Sequence, residues 1–352
     1  MSSWWKFERL RRSGTDGRLQ AAAGDNATVD FYFLNALGDL VGDGECSDKP
    51  VRRLGPHTFA ARDRLIVIRY VSAAEIAIIR ARRWDRTYYV IDDALHDADR
   101  SVDLPLAYRR RLRTFLRDGL PAILELNPHV IAPSAHIFAA YPGLTTRLID
   151  PCLRHPRDPD TDLDHHDAHQ TLRLCFLGTR SHGASLDLLR SIAHALPAIA
   201  PEARLTMFFG DGLPRSMRRL ASIDNRPPLS WPAFKRFVAQ QRFHVCLAPL
   251  MPTPFNRGRS ITKVLDGASV GAATLFSKRA PFDSVVSDGN DGFLLDDAPE
   301  SWIAKIATLA QDRDRCRAIA LGGMQLANAK GDRERLRRFW LSELDLTSAT
   351  SP

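Results

Sequence analysis

What this sequence lacks narrows its class first. No apolar run approaches the length of about 20 residues that a membrane-crossing helix needs, so no transmembrane segment is expected. The opening MSSWWKFERLRR has no apolar core of the kind a secretory signal carries. The five cysteines, at positions 46, 152, 175, 246 and 316, are scattered, odd in number and without zinc-ligand spacing. Cys175 and Cys246 fall in apolar strand-like runs, where a thiol acts as a small hydrophobe, and a reducing cytoplasm is the economical compartment. The dinucleotide fingerprint is missing too. Gly38, Gly42 and Gly44 do not give G-x-G-x-x-G and no clear helix follows, so this stretch reads as loop. Nor is there a zinc finger or an aromatic RNA-binding strand. The arginines behind the net charge of +8 are spread along the chain, and nucleic acid is not the expected partner.

What is present is the composition of a soluble globular protein, 44% hydrophobic and 26% charged, over 352 residues, enough for two ordinary domains. Residues 1–25 place Trp4, Trp5, Phe7 and Leu10 among Lys6, Arg9, Arg11 and Arg12. This is a pattern for peripheral membrane contact through residues 4–12, or for a packed or frayed helix. Residues 26–150 alternate strand and helix patterns. Strands are expected at Val29–Leu34, Leu65–Val71, Tyr88–Ile91, Val130–Ala132 and Leu148–Ile149. Helices are expected over Ala73–Arg83, Tyr108–Leu116 (with an arginine-rich face), Pro121–Leu126 and Ser134–Ala140. Residues 151–170, rich in Pro, Asp and His without periodicity, read as an interdomain linker. Asp164, His165, His166, Asp167 and His169 imitate a metal site there, but a solvated linker supplies no rigid geometry, so no metal is expected.

The rhythm restarts over 171–330, with strands at Leu172–Leu177, Leu205–Phe209 and Val245–Leu250 and helices over Ala184–Leu196 and Trp231–Gln241. The most informative stretch is Asn256 to Asp297. A polar basic loop, Asn256–Ser260, leads into a short apolar helix pattern (Ile261, Val264, Leu265, Ala268) stopped by Gly271. A buried strand pattern, Ala272–Phe276, follows, and the turn Asp288–Gly292 launches Phe293–Leu295. Helices are expected over Ser301–Ala310 and Arg313–Ala327, with a C-terminal helix and tail over 331–352. In an α/β unit of this order, ligands sit at the carboxyl ends of strands, where helix N-termini can hold phosphate.

In this order the second half resembles the donor-binding half of GT-B glycosyltransferases, closest to the large retaining, group 1-like family that uses nucleotide-sugars. Phe176–Arg180 resembles the family's first strand and glycine loop. Leu205–Gly212 resembles its strand ending in G-D-G, Phe237–Pro249 its helix and strand before the donor loop, and Asp288–Leu295 its late turn and strand. The resemblance covers about half of the chain. It implies an α/β fold of two Rossmann-like domains facing across a cleft, a nucleotide-sugar donor and a glycan or lipid-linked acceptor. By family the setting is surface polysaccharide or glycoconjugate synthesis, in the cytoplasm or at the inner face of the membrane. It also implies roles. Gly178, Thr179, Arg180, Gly210, Asp211, Asn256, Arg259, Ser260 and Lys263 would bind the donor, with Arg259 and Lys263 supplying cations for the diphosphate in place of a metal. The family's paired glutamates fall here on Gly258, which has no side chain, and on Asp266, a catalytic candidate by that resemblance that could accept hydrogen bonds from a ribose or sugar hydroxyl and that also reads as a helix-surface partner of Lys263. On the acceptor side Asp92 and Asp93 end a strand and could orient or deprotonate a hydroxyl. They do not form the D-x-D of metal-dependent transferases. His136 and His182 are further cleft candidates. The absent glutamate keeps open an alternative reading, a catalytically inactive protein of this fold that binds a glycan or a partner.

Overall fold

The computed structural model describes residues 26–43, 48–101, 104–153, 157–158, 162–166, 171–178 and 185–347. The described residues open with a helix over residues 27–37 (α1), interrupted by a π turn at Asp30–Leu34. The strand expected at Val29–Leu34 is therefore helix. Val29, Tyr32, Phe33, Ala36 and Leu37 recur at the i, i+3, i+4, i+7 spacing of one helix face, and all five are buried. A six-residue window ends before that period can show. Asn26 starts the helix, its Oδ1 accepting the Thr28 amide at 2.9 Å.

Seven strands then form the first sheet, in sequence order. They are β1 Val41–Asp43, β2 Val51–Arg53, β3 Thr58–Ala61, β4 Arg64–Ile68, β5 Arg86–Val90, β6 His129–Ala132 and β7 Thr146–Leu148. Pairing is antiparallel from β2 through β4 and parallel elsewhere. The loop reading of 38–44 fails at β1, and β2 and β3 were not anticipated, because strands this short carry too few alternations to stand out. Helices α2 Ala73–Arg80, α3 Leu106–Asp118, α4 Leu120–Leu124 and α5 Ala135–Phe138 connect the parallel strands. Alternate residues of β4 and β5 serve opposite cores. Ile66, Ile68, Tyr88 and Val90 face α1, while Leu65, Val67, Tyr89 and Ile91 pack with Leu112 of α3 and Ile123 of α4.

The second sheet has six strands, all parallel, in the order β10-β9-β8-β11-β12-β13. The strands are β8 Arg173–Phe176, β9 Arg204–Met207, β10 Ile223–Asn225, β11 Val245–Ala248, β12 Ala273–Ser277 and β13 Phe293–Leu295. Counted from β8, that is the 3-2-1-4-5-6 order of a doubly wound nucleotide-binding sheet, and its switch point lies between β8 and β11. Around it lie α6 Leu186–Ile199, α7 Arg215–Arg218, α8 Trp231–Gln240, α9 Thr262–Ser269, α10 Pro299–Gln311 and α11 Arg313–Lys330. The last helix, α12 Arg333–Glu343, returns to the first sheet. There Trp340 stands edge-on to Phe33 at 5.1 Å between ring centroids and donates from Nε1 to the Tyr32 carbonyl at 2.7 Å.

The stretch read as a solvated polar linker is, where described, packed. Leu163 and His166 are buried, and Arg242 forms an ion pair with Asp162. Three imidazoles, His165, His166 and His244, cluster with centroids 4.2, 5.3 and 5.4 Å apart. Each ring donates from Nε2 to a backbone carbonyl at 2.8 Å, those of Phe243, Gly271 and His165 respectively. The histidines therefore satisfy carbonyls beside β11, after α9 and within the segment itself, a role that composition does not distinguish from solvation. Burial pushes the His166 imidazole down to about 4 and that of His244 to about 3. Among the described residues, no group of three or more His, Cys, Asp or Glu is placed to hold a metal ion, and no helix is long and apolar enough to cross a membrane.

Candidate functional site

At the switch point, β8 runs out into Leu177-Gly178, and the segment after β11 includes a 3-10 turn, Phe255–Gly258, before α9. Lys263, on the first turn of α9, reaches back and donates to the Leu177 carbonyl at 2.6 Å and to Asp266 Oδ2 at 2.7 Å. The helix-surface pairing of Asp266 with Lys263 is thus real, at i, i+3, but it is half-sunk at the carboxyl end of the central strand rather than solvated. Thr179, Arg180 and His182 lie outside the described residues. Gly210 takes a left-handed φ of +51°, which a side chain would strain. The turn through Gly210 and the exposed Asp211 is held by Asn225. Its Oδ1 accepts the Phe209 and Gly210 amides at 3.2 and 3.1 Å, and its Nδ2 donates to the Gly210 carbonyl at 2.9 Å.

The polar, basic loop nominated for the donor is inserted between the two lobes. Phe255 is fully buried in the core of the first lobe, its amide donating to Ser101 Oγ at 3.1 Å. Asn256 donates to the Met251 carbonyl at 3.0 Å, and Ser260 Oγ accepts the Thr262 amide at 3.4 Å where α9 begins. Gly258 lies flat against the first lobe. A Cβ there would stand 2.7 Å from the Ala94 Cβ, 3.2 Å from its amide nitrogen and 3.2 Å from Ile137 Cγ1. Any side chain at this position would require Ala94 to shift.

Asp93 and Arg259 meet across this seam. Arg259 Nη1 lies 2.7 Å from Asp93 Oδ1, while Arg69 bonds Asp93 Oδ2 from the other side and the Tyr108 hydroxyl donates to the same oxygen at 3.2 Å. Asp93 is almost fully buried and is the anion between two guanidiniums. The residue nominated as a base and the one nominated as a phosphate cation thus neutralise each other. Asp92 is placed differently. Its Oδ2 accepts from Thr28 Oγ1 at 2.8 Å, while its Oδ1, 3.7 Å from Arg69 Nε, has no hydrogen bond, and neither does that Nε. Burial raises the Asp92 carboxyl above its ordinary range, Arg69 opposes this, and the neighbouring Asp93 charge adds to it. Burial would weaken the Arg69 cation, but Asp92, Tyr70, Asp93 and Tyr108 together hold it above its ordinary value. Arg69 sits at the end of β4 with φ +65°, a left-handed conformation costly for a long side chain and typical of functional positions. His136 is tied to Asp97 at 2.8 Å. Arg69, Thr28, Tyr32, Tyr108 and Asn225 had not been singled out. Only Arg69 carried a signal, a lone cation closing the apolar run LIVIRYV.

No family model and no curated protein matches the sequence. Solved structures do. Sucrose-phosphate synthase from Thermosynechococcus elongatus aligns with a TM-score of 0.57 at 15% identity, over 81% of this chain and 74% of that one. HepE from Anabaena, solved with UDP and glucose, aligns at 0.56 and 14% identity, over 80% and 77%. TarM from S. aureus, in a mutant bound to UDP, aligns at 0.52 and 10% identity; 74% of this chain matches only 50% of that one. This chain has the GT-B fold. Its neighbours at this level are GT-B glycosyltransferases, and the two sheets joined by α12 are the lobes of that fold.

Proposed function

We propose that this protein transfers a sugar from a nucleotide-sugar to an acceptor hydroxyl bound in the first lobe, without a metal. The observation that carries the proposal is the Arg69–Asp92 ion pair in the seam, whose Nε donor and Oδ1 acceptor, 3.7 Å apart, make no hydrogen bond. A hydroxyl is the group that both accepts and donates, so one hydroxyl placed between them satisfies both atoms. In the transfer step the acceptor O–H bond breaks and its proton goes to Asp92. The new glycosidic C–O bond forms as the nucleotide diphosphate leaves. The raised Asp92 carboxyl suits it to take that proton. On the donor side, Arg259 would exchange Asp93 for the diphosphate, with Lys263 beside it at the end of β8. HepE was solved with UDP and glucose and TarM with UDP, which makes UDP-sugars the first donors to try. Synthesis of a surface polysaccharide or glycoconjugate, in the cytoplasm or at the inner face of the membrane, is the setting we infer.

The test has two stages. A thermal-shift screen against UDP, GDP, ADP, CMP and their sugars, without metal, should single out one nucleotide. A ligand at a hundred times its dissociation constant adds about 2.7 kcal/mol. Release of that nucleotide diphosphate from its sugar should then fall at least about a hundredfold in Asp92→Asn. Binding without any turnover in the wild type would favour an inactive binding protein, a reading consistent with the filled space at Gly258.

A further inference from the structure

Beside the seam, α3 carries a cation that the transfer step does not use. The Arg111 guanidinium lies 5.2 Å from the ring centroids of both Tyr70 and Tyr108. The two tyrosine hydroxyls are 3.1 Å apart, and that of Tyr108 continues to Asp93, so this shelf adjoins the Arg69–Asp92 pair. Arg69 itself stacks on the other part of the shelf, 4.9 Å from the Tyr70 centroid. Arg111 is exposed and, among the described residues, has no acidic partner. Arg117, on the same helix, is by contrast paired with Asp118 at 2.6 Å. Two aromatic rings thus fix the plane of a guanidinium whose edge N–H groups remain free, the geometry that favours two-point binding of an oxyanion. The local balance also favours an anion: Arg69 and Arg259 share Asp93, Arg69 also lies beside Asp92, and Arg111 adds a third cation on the tyrosine shelf.

We propose that Arg111, held on Tyr70 and Tyr108, is an acceptor subsite for a phosphate or carboxylate, so that the acceptor is acidic. This rests on the transfer reading above and names its substrate class. The acceptor would present its hydroxyl to Asp92 and its negative group to Arg111.

The test uses the full chain saturated with whichever nucleotide the thermal screen selects, so that the donor site cannot take the probe. Glucose 6-phosphate and methyl glucoside are titrated by calorimetry, and vesicles containing phosphatidylglycerol by co-sedimentation. The phosphate sugar should bind, weaken as salt rises and lose about tenfold in affinity in Arg111→Ala. Arg117→Ala should leave it unchanged. If vesicles but not the sugar phosphate bind in an Arg111-dependent way, the same subsite takes its phosphate from a lipid headgroup. Equal binding of methyl glucoside, or an effect of Arg117→Ala as large as that of Arg111→Ala, would overturn the proposal. So would no binding of any probe to a protein that the nucleotide stabilises, and the donor reading would then stand alone.

Discussion

Removing Asp93 tests the seam most directly. The carboxylate is nearly inaccessible and is held by Arg69, by Arg259 at 2.7 Å and by the Tyr108 hydroxyl at 3.2 Å. Asp93→Ala leaves two guanidiniums facing each other across the lobes with no anion between them. Breaking a buried pair by removing one partner costs about 3–5 kcal/mol, most of it the penalty of the stranded charge. Arg259→Ala should cost less, because Arg69 still neutralises Asp93 and what is lost is one ion pair and the stacking of Arg259 on Phe255, 4.7 Å from its centroid. The double variant should then be less destabilised than the sum of the singles by at least about 1 kcal/mol, as expected for groups in one network. Chemical denaturation of the four proteins, followed by tryptophan fluorescence, gives this cycle. A loss below about 1 kcal/mol in Asp93→Ala together with additive singles would refute the claim that Asp93 organises the seam. A second readout separates stability from function. Freeing Arg259 should tighten binding of the nucleotide diphosphate in Asp93→Asn, if Arg259 exchanges one anion for the other.

Restoring a side chain at position 258 should unseat the loop. Gly258→Ala is expected to destabilise by about 1–3 kcal/mol through overpacking against Ala94, with faster hydrogen exchange at the Phe255 amide. Trp340→Ala should cost about 3–5 kcal/mol, since that fully buried ring fixes α12 to the first lobe. Glu75, on the first turn of α2, is buried against His57 and Thr58. Despite burial, its hydrogen bonds with His57 and Ser72 hold its carboxyl down at about 2, against an ordinary 4.5. Its folded pKa is depressed, so its contribution is present above pH 4.5 and is lost as pH falls toward 2. The stability gap between wild type and Glu75→Gln should therefore be flat above pH 4.5 and narrow below it, and a gap that widens on acidification would contradict the assignment. The imidazoles of His166 and His244 are also depressed, from 6.5 to about 4 and about 3. For a base the sign is opposite in form but the same in outcome. The unfolded chain takes those protons first, and stability falls below pH 6.5 down to about 3. His244→Gln should flatten that fall, measured as the pH dependence of the denaturation midpoint.

Residue order alone made the α/β rhythm and the main strands of the second sheet legible, while the order of those strands, and so the place of the switch point, came from their pairing. Runs such as LRLCFL and FHVCLAPL bury both strand faces, and the helices between them carry apolar spacing readable without coordinates. The helix over residues 27–37 was hidden because its period needs eleven positions, and the aromatic cluster within it imitates a strand. The acidic pair at 92 and 93 and the cations at 259 and 263 were visible as charges. Which charge neutralises which is a property of space. Asp93 and Arg259 are 166 positions apart and become one ion pair only when the lobes meet. That contact also decides that Asp92, its neighbour in sequence, keeps an unmatched oxygen, and that Gly258 is a contact surface rather than a lost glutamate. The reason is that burial and pairing set the chemistry of an ionisable side chain, and both are fixed by residues far away along the chain.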